Sequence, residues 1–406
     1  MASLGITPAC AGKTLPSWSH SGPLGDHPRM RGEDEAFGDE PLGVGGSPPH
    51  ARGRQLDYPG NPTKSSSSLP VFLHSQPSPL KRFLRRVLRT TIDLVETTLM
   101  LSSKSRSVWA KSKYDNDSPG LAWWLPLWLH LADAAEVARH LAANWLAPSI
   151  PDLIEREFAG SASGLLPADE FKALASWLAG IHDIGKATPA FSTKVGALDD
   201  CMREAGLRHE LIDASERRQA PHGLAGQMIV EKWLRKTMRW GIQSARALAS
   251  VVGAHHGIPA TTKMVLNMHG RDHLLGDSEW SAVRSELLEM AINRAGVADL
   301  LDEWSHRSWS EPFLVEICGL VIVSDWLAST EAYFPLCRLE DDGSEFLDAK
   351  QHQERVESGL AKIELPSPWR PRDDGEDADS LLRTRFDLPD GAKATAAQRA
   401  AGSDEA

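Results

Sequence analysis

The sequence predicts an all-α domain flanked by two disordered extensions. Apolar residues recur at helical spacing in a series of runs between Leu127 and Leu327. The chain has 14 Trp against 3 Tyr, and most of the Trp lie between Trp109 and Trp326, which marks that span as the folded body. Outside it, residues 1–70 are rich in Gly, Pro, Ser and His without apolar periodicity, and from Arg338 the chain turns polar and acidic. The expected division is a disordered segment 1–99, a helical domain 100–340, and a mostly disordered linker 341–406.

At 406 residues, 41% of them hydrophobic, the chain can bury a sizeable core. Its formal net charge is −11. A chain that binds long DNA unaided is usually basic, so any nucleic acid here is expected to be held locally or delivered by a partner. Four Cys are scattered with no CxxC pair, which points to a reducing compartment and no disulfide framework. With no signal peptide and no apolar span of membrane length, the expectation is a soluble, cytoplasmic protein without membrane association.

The first hundred residues contain Gly5 to Thr14, which looks like a phosphate-binding loop. Thr7 stands where that motif needs its first Gly, and no strand precedes it, so the motif is rejected. Three segments carry a different signal: Gly5 to Thr14, Asp26 to Asp34 and Gly46 to Arg54. All three can be reverse-translated from one DNA string, GGGATCACCCCCGCATGCGCGGGGAAGAC, read in three frames. Asp26 starts 63 nucleotides after Gly5 and two bases into the unit, and 63 − 2 = 61; Gly46 starts 123 after Gly5 and one base in, and 123 − 1 = 122, twice 61. The unit holds CCCCGC and its reverse complement GCGGGG, so its RNA can form a hairpin. An evenly spaced palindromic repeat with unrelated spacers resembles a CRISPR array. Residues 1–99 are thus expected to be translated array and upstream DNA, with Met100 the start of the functional protein. Leu80 to Leu101 is basic and helical in period, without a feature that identifies a function.

In the body, Pro126 suits the first turn of a helix whose apolar residues recur at Leu127, Leu131, Ala134, Ala138 and Leu141. His130 and Asp133 share a face of it; taken alone, they read as a core histidine with a hydrogen-bonded carboxylate. A second apolar helical pattern, Phe171 to Leu178, runs into Gly180-Ile181-His182-Asp183-Ile184-Gly185-Lys186, with Gly185 as the expected helix end. Adjacent residues on a helix project about 100° apart, so His182 can take one metal ion while Asp183 reaches it and bridges to a second. Ala187 to Gln219 reads as a polar loop. His222 then opens a helix that runs through Leu234, Ala247 to Gly253 ends another in the pair His255-His256 before Gly257, and Asp325 interrupts an apolar helix from Phe313 to Leu327. An HD pair alone means little. Paired histidines before a glycine turn and a lone Asp in an apolar helix are harder to explain as packing, because a buried carboxylate is costly without a partner. A cation would supply one.

The motifs LHLAD, HDIGK, HGLAG, GAHHG and SDWLAS, in that order, resemble the HD nuclease domain of the type I CRISPR nuclease-helicase, within the HD-domain metal-dependent phosphohydrolase superfamily. The resemblance covers roughly residues 105 to 340, and only Ala254 before the His pair departs from the pattern. It implies an HD-domain helical bundle with a two-metal site. His130, His182, Asp183 and Asp325 would hold one ion; Asp183 would bridge to the other, held by His222, His255 and His256. Mixed imidazole and carboxylate ligands suit Mn, Fe, Co or Ni, with Mg less natural. Asp183 and Lys186 would be the catalytic residues, Lys186 neutralising a phosphate oxygen, although a surface lysine closing a helix is an equal reading. Asp133 would orient His130. His140, His209, His269, His273 and His306 lack such a context.

The tail, with Leu365 to Pro371 and the acidic run after it, looks like the linker toward a helicase. No Walker or DEAD-type motif is present, so no ATPase activity is expected of this chain, and the helicase would be a separate or lost subunit. The implied function is hydrolysis of single-stranded DNA phosphodiesters in CRISPR antiviral defence, as an endonuclease or exonuclease working with an RNA-guided surveillance complex. The alternatives are an HD phosphohydrolase for nucleotides or cyclic dinucleotides, and an inactive remnant of an interrupted gene.

Overall fold

The computed structural model describes residues 101–115, 120–368, 377–386 and 388–401. The repeat-bearing segments, nearly all of the stretch from Leu80 to Leu101, and Met100 lie outside the described residues. The longer helices are α1 (Leu127–Asn144), α2 (Pro167–Ala179), α3 (His222–Lys236), α4 (Ile242–Gly253), α5 (Ser278–Ala295), α6 (Glu311–Ala328) and α7 (Ala349–Leu360). They form the helical bundle that the sequence implied.

α1 is the axis of the bundle. It begins directly after Pro126, whose fixed φ suits a helix entry, and its first half is buried on every side, from Leu127 through Ala135. It packs between α2 and α6, with α5 across α1 and α2 and with α3 against α4. Each leucine or valine taken out of water there contributes roughly 1.5–3 kcal/mol. The tryptophans that marked the body explain themselves: Trp128, Trp177, Trp280 and Trp304 are fully buried. Trp304 donates to Glu170 Oε1 at 2.8 Å and Trp280 to the Arg208 carbonyl at 2.9 Å.

Three features depart from the sequence reading. A small antiparallel sheet, β1 (Trp109–Tyr114), β2 (Leu121–Pro126) and β3 (Cys337–Arg338) in that order, precedes and caps α1. Its strands are too short and too irregularly patterned to show a period of two. The expected loop Ala187 to Gln219 holds short helices at Pro189–Ser192, Gly196–Glu204 and Ala214–Arg217. Ala190 of the first of these, the flanking Ile212 and Ala220, Leu224 of α3, and Met268 and Leu274 form a small satellite core.

The third departure is α7. Residues 349–360 were expected in a mostly disordered linker, yet they form a helix capped by Asp348, whose side chain accepts from the Lys350 and Gln351 amides. α7 lies on α1, with His352 and Val356 buried. Its polar composition concealed this, because few of its residues face inward and His352 and Arg355, which look like surface side chains, are among them. Cys201, Cys318 and Cys337 carry free thiols. Among the described residues no helix is long and apolar enough to cross a membrane.

Candidate metal centre

The site is assembled from the ends of five helices, the first being α1, whose opening turn carries His130. α2 stops at Ala179, with Gly180 as its cap rather than Gly185, so the HD pair sits in the turn after the helix and not on it. Ile181 and Ile184, both fully buried, draw that turn into the core and bring His182 and Asp183 with them. Gly185 has a different reason to be glycine: a β-carbon there would lie 2.6 Å from the Gly226 amide nitrogen and collide with the His222 carbonyl. The turn thereby rests against the first turn of α3, whose opening residue is His222. α4 ends at Gly253, and His255 and His256 follow in a turn closed by Gly257 at φ 103, a conformation that favours glycine. Asp325 comes from the last turns of α6.

These segments bring all seven expected ligands together. His130, His182, Asp183 and Asp325 form one group of donor atoms close enough to share an ion; His222, His255 and His256 form another. Asp183 stands between them. Its Oδ2 lies 3.1 Å from His130 Nε2 and 3.5 Å from His182 Nε2, while its Oδ1 lies 3.5 Å from both His222 Nε2 and His255 Nε2. Asp325 Oδ1 is 3.3 Å from the Nε2 atoms of His130 and His182. In the other group, His256 Nε2 meets His222 Nε2 at 2.7 Å.

Two of the histidines have their ring nitrogens assigned by the backbone. His182 Nδ1 donates to the Ala179 carbonyl at 2.7 Å, and His255 Nδ1 donates to the Val252 carbonyl at 2.6 Å, each three residues back. The Nε2 atoms are therefore the ones turned to the centre. Ser329, one turn beyond Asp325, donates to its Oδ1 at 2.8 Å; the sequence reading passed over this residue.

The electrostatics favour a cation. Burial alone would raise the Asp183 carboxyl, but the charges of Lys186 and His182 and the close approach of the His130 and His182 rings hold it well below the usual carboxylate range. Burial acts on Asp325 in the same sense and is outweighed in the same way, chiefly by His182. The proton on His182 is the counterpart: burial opposes it, yet Asp183 and Asp325 push the imidazole up to about 10. Burial, partly opposed by Asp183, keeps His222 well below its ordinary value, and burial with the charge of His255 brings His256 down to about 4. Two ionised carboxylates thus face a cluster in which His222 and His256 stay neutral, the protonation state that ligation requires.

The donor set also fits a metal by what it leaves unsatisfied. His130 Nδ1 and Nε2, His182 Nε2, His255 Nε2 and Asp183 Oδ1 are buried without a hydrogen-bond partner. Buried polar atoms seldom stay unpaired, because each costs on the order of 1–3 kcal/mol. Four of these five, all but His130 Nδ1, belong to the converging donors, and a divalent ion in each group would satisfy them.

Lys186 is not a surface lysine. It is buried, with Nζ 2.9 Å from Asp183 Oδ2 and 3.1 Å from the Ala110 carbonyl. Asp133 makes no hydrogen bond to His130, the direct orienting contact that had been expected. It turns away to α7, where Arg355 donates from Nε and Nη2 at 3.0–3.2 Å and His352 Nε2 lies at 3.2 Å. The histidines set aside stand apart from both groups; His209, for example, pairs with Asp199 at 2.6 Å. His352 and Arg355 were missed, and no local pattern around them carries a signal.

Comparison with known proteins gives a consistent result. A family model described as Cas3, HD domain, matches residues 109–334. A CRISPR-associated nuclease/helicase Cas3 of Streptococcus thermophilus is 28% identical over 284 residues, 65% of this chain and 28% of that protein. A CRISPR-associated endonuclease/helicase Cas3 of Thermus thermophilus is 30% identical over 217 residues, 52% of this chain and 22% of that protein. A crystal structure of a CRISPR-associated protein superposes with a TM-score of 0.51 at 25% identity, over 74% of this chain and 32% of the other. The chain spans about a quarter of the length of these curated relatives.

Proposed function

The chain belongs to the Cas3 HD-domain family of CRISPR-associated HD nucleases, and we propose that it hydrolyses phosphodiesters of single-stranded DNA with two divalent ions. The observation that carries this reading is the position of Asp183, with one carboxylate oxygen toward each ligand group. His130, His182, Asp183 and Asp325 would hold one ion and His222, His255, His256 and Asp183 the other; the nitrogen-rich donor set suits Mn, Fe, Co or Ni, and Mg less well. Ions held there would supply a nucleophilic water and Lewis-acid polarisation of the scissile phosphate. Lys186 holds Asp183 ionised, and its ammonium group would face a phosphate oxygen at the same centre. His182 and His255, tied at Nδ1, keep their Nε2 atoms aimed during turnover.

Two exposed apolar side chains lie next to the ligands in the chain. Trp326 follows Asp325 and is 57% exposed; Ile258 follows His256 by two residues and is 72% exposed. An unpaired base can stack on the Trp326 indole and pack its edge against Ile258, whereas a base inside a duplex has its faces already covered, which favours a single strand. With a net charge of −11, the chain would receive its DNA from a helicase and an RNA-guided surveillance complex rather than capture it unaided.

The test is cleavage of labelled single-stranded DNA by the full chain with Mn, Co or Ni, and its loss on chelation. Asp183→Ala is expected to abolish cleavage while the fold survives, and His140→Ala, at an exposed position of α1, to keep it. Folded, metal-loaded protein that hydrolyses nucleotides but no DNA would overturn the nuclease reading.

A further inference from the structure

His130 differs from the other buried ligands. The rings of His182 and His255 are each fixed by a hydrogen bond from Nδ1 to a backbone carbonyl. His130, fully buried, has no such tie: its Nδ1 has no partner, and its Nε2 meets only the Asp183 and Asp325 carboxylates of the centre itself. Its aim depends on the placement of α1 itself and on the packing around it.

One turn further along α1 is Asp133, also fully buried. Its carboxylate accepts two N–H groups of the Arg355 guanidinium and the Nε2–H of His352, both from α7. His352 is held in turn at its other ring nitrogen, where Arg294 Nη1 of α5 lies at 3.1 Å from Nδ1. α1, α5 and α7 are thus joined through one continuous polar chain that ends a turn from His130. Apolar residues would hold α7 to α1 at least as firmly, because a buried ion pair gains little net stability after desolvation. A forked, directional contact supplies what they lack: a fixed rotation and axial position for α1.

We propose that Arg355 and His352 are positioning residues of the metal centre, acting through Asp133 to set the aim of His130 toward the first ion. α7 is then part of the metal-binding unit. The inference rests on the two-ion reading above and makes a separate claim about only one of the two groups.

The experiment measures binding of Co²⁺ by calorimetry and by its visible absorption, together with thermal unfolding, in the full chain. Arg355→Lys keeps the charge and removes the fork. The double variant Asp133→Leu/Arg355→Leu replaces the pair with apolar side chains and guards against unfolding from a lone buried carboxylate. In both, the ion held by His130, His182, Asp183 and Asp325 should bind about 10–100-fold more weakly, the range seen when groups that orient a ligand are removed. The ion at His222, His255 and His256 should bind as before. The remaining spectrum should match that of His130→Ala, a signature that mere loss of stability would not produce. Folded variants that bind both ions as the wild type does, or that weaken both equally, would overturn the proposal. A wild-type chain that binds no Co²⁺ would sink the metal-centre reading and this inference with it.

Discussion

Gly185 rests against the backbone of His222 so closely that a β-carbon would lie 2.8 Å from the His222 carbonyl carbon and collide with its oxygen. This contact sets the HD turn against the opening of α3 and so places the two ligand groups on either side of Asp183. Gly185→Ala must push these segments apart. The expected cost is about 1–3 kcal/mol of stability, in the range of an overpacked core. Metal titration of the folded fraction should show weakened binding at the group containing His222. Unchanged melting temperature and unchanged metal affinity would show that the turn has slack.

The two groups should separate by mutation. His256→Ala removes one donor from the second group and leaves the four donors of the first untouched, so the chain should lose one tight ion and keep the other. Asp183→Ala should weaken both, since its two oxygens face opposite groups. Metal content per chain after dialysis distinguishes these outcomes. Equal loss of both ions in His256→Ala would mean that the groups act as a single site.

Glu316, in the second turn of α6, gives a pH dependence away from the ligands. Burial pushes its carboxyl up from 4.5 to about 7. The folded chain therefore holds this proton more tightly than the unfolded chain, and the contribution to stability falls as pH rises from about 4.5 through about 7. Glu316→Gln should melt like the wild type at and below pH 4.5 and at a higher temperature above pH 7. A constant difference across that range would assign the effect to packing.

A chain begun at Met100 is expected to fold and bind metal like the full chain. The prediction comes from the 61-nucleotide period upstream, which spans three reading frames as a selected protein segment would not (63 − 2 = 61; 123 − 1 = 122). Melting temperature and metal content of the two chains compare directly. Loss of either on truncation would show that residues 1–99 have a structural role.

How much the sequence revealed differed from element to element. α1 and α6 were plain because their apolar spacing is intrinsic to the helix that displays it. The sheet was hidden by strands that do not alternate, and α7 by a surface-like composition in which only His352, Val356 and Gly359 are buried. Gly185 was recognised as required but for the wrong reason: it reads as a helix stop, and the helix had already stopped at Ala179. Its true neighbour, His222, is 37 residues away, beyond the reach of any local pattern.

By itself the sequence determined the helical class, the family, and which seven side chains have the chemistry of ligands. Those properties are written in residue type and in periods of a few residues. The family resemblance also implied how the seven divide into two groups; only the tertiary structure decided which oxygen of Asp183 faces each, and that the Asp133 carboxylate bonds to α7 and not to His130. Each depends on contacts between distant segments, such as Asp133 with Arg355, 222 residues apart. A pairing of that kind is set by how helices pack. A carboxylate one turn from a histidine looks the same in the sequence whichever partner it finally meets.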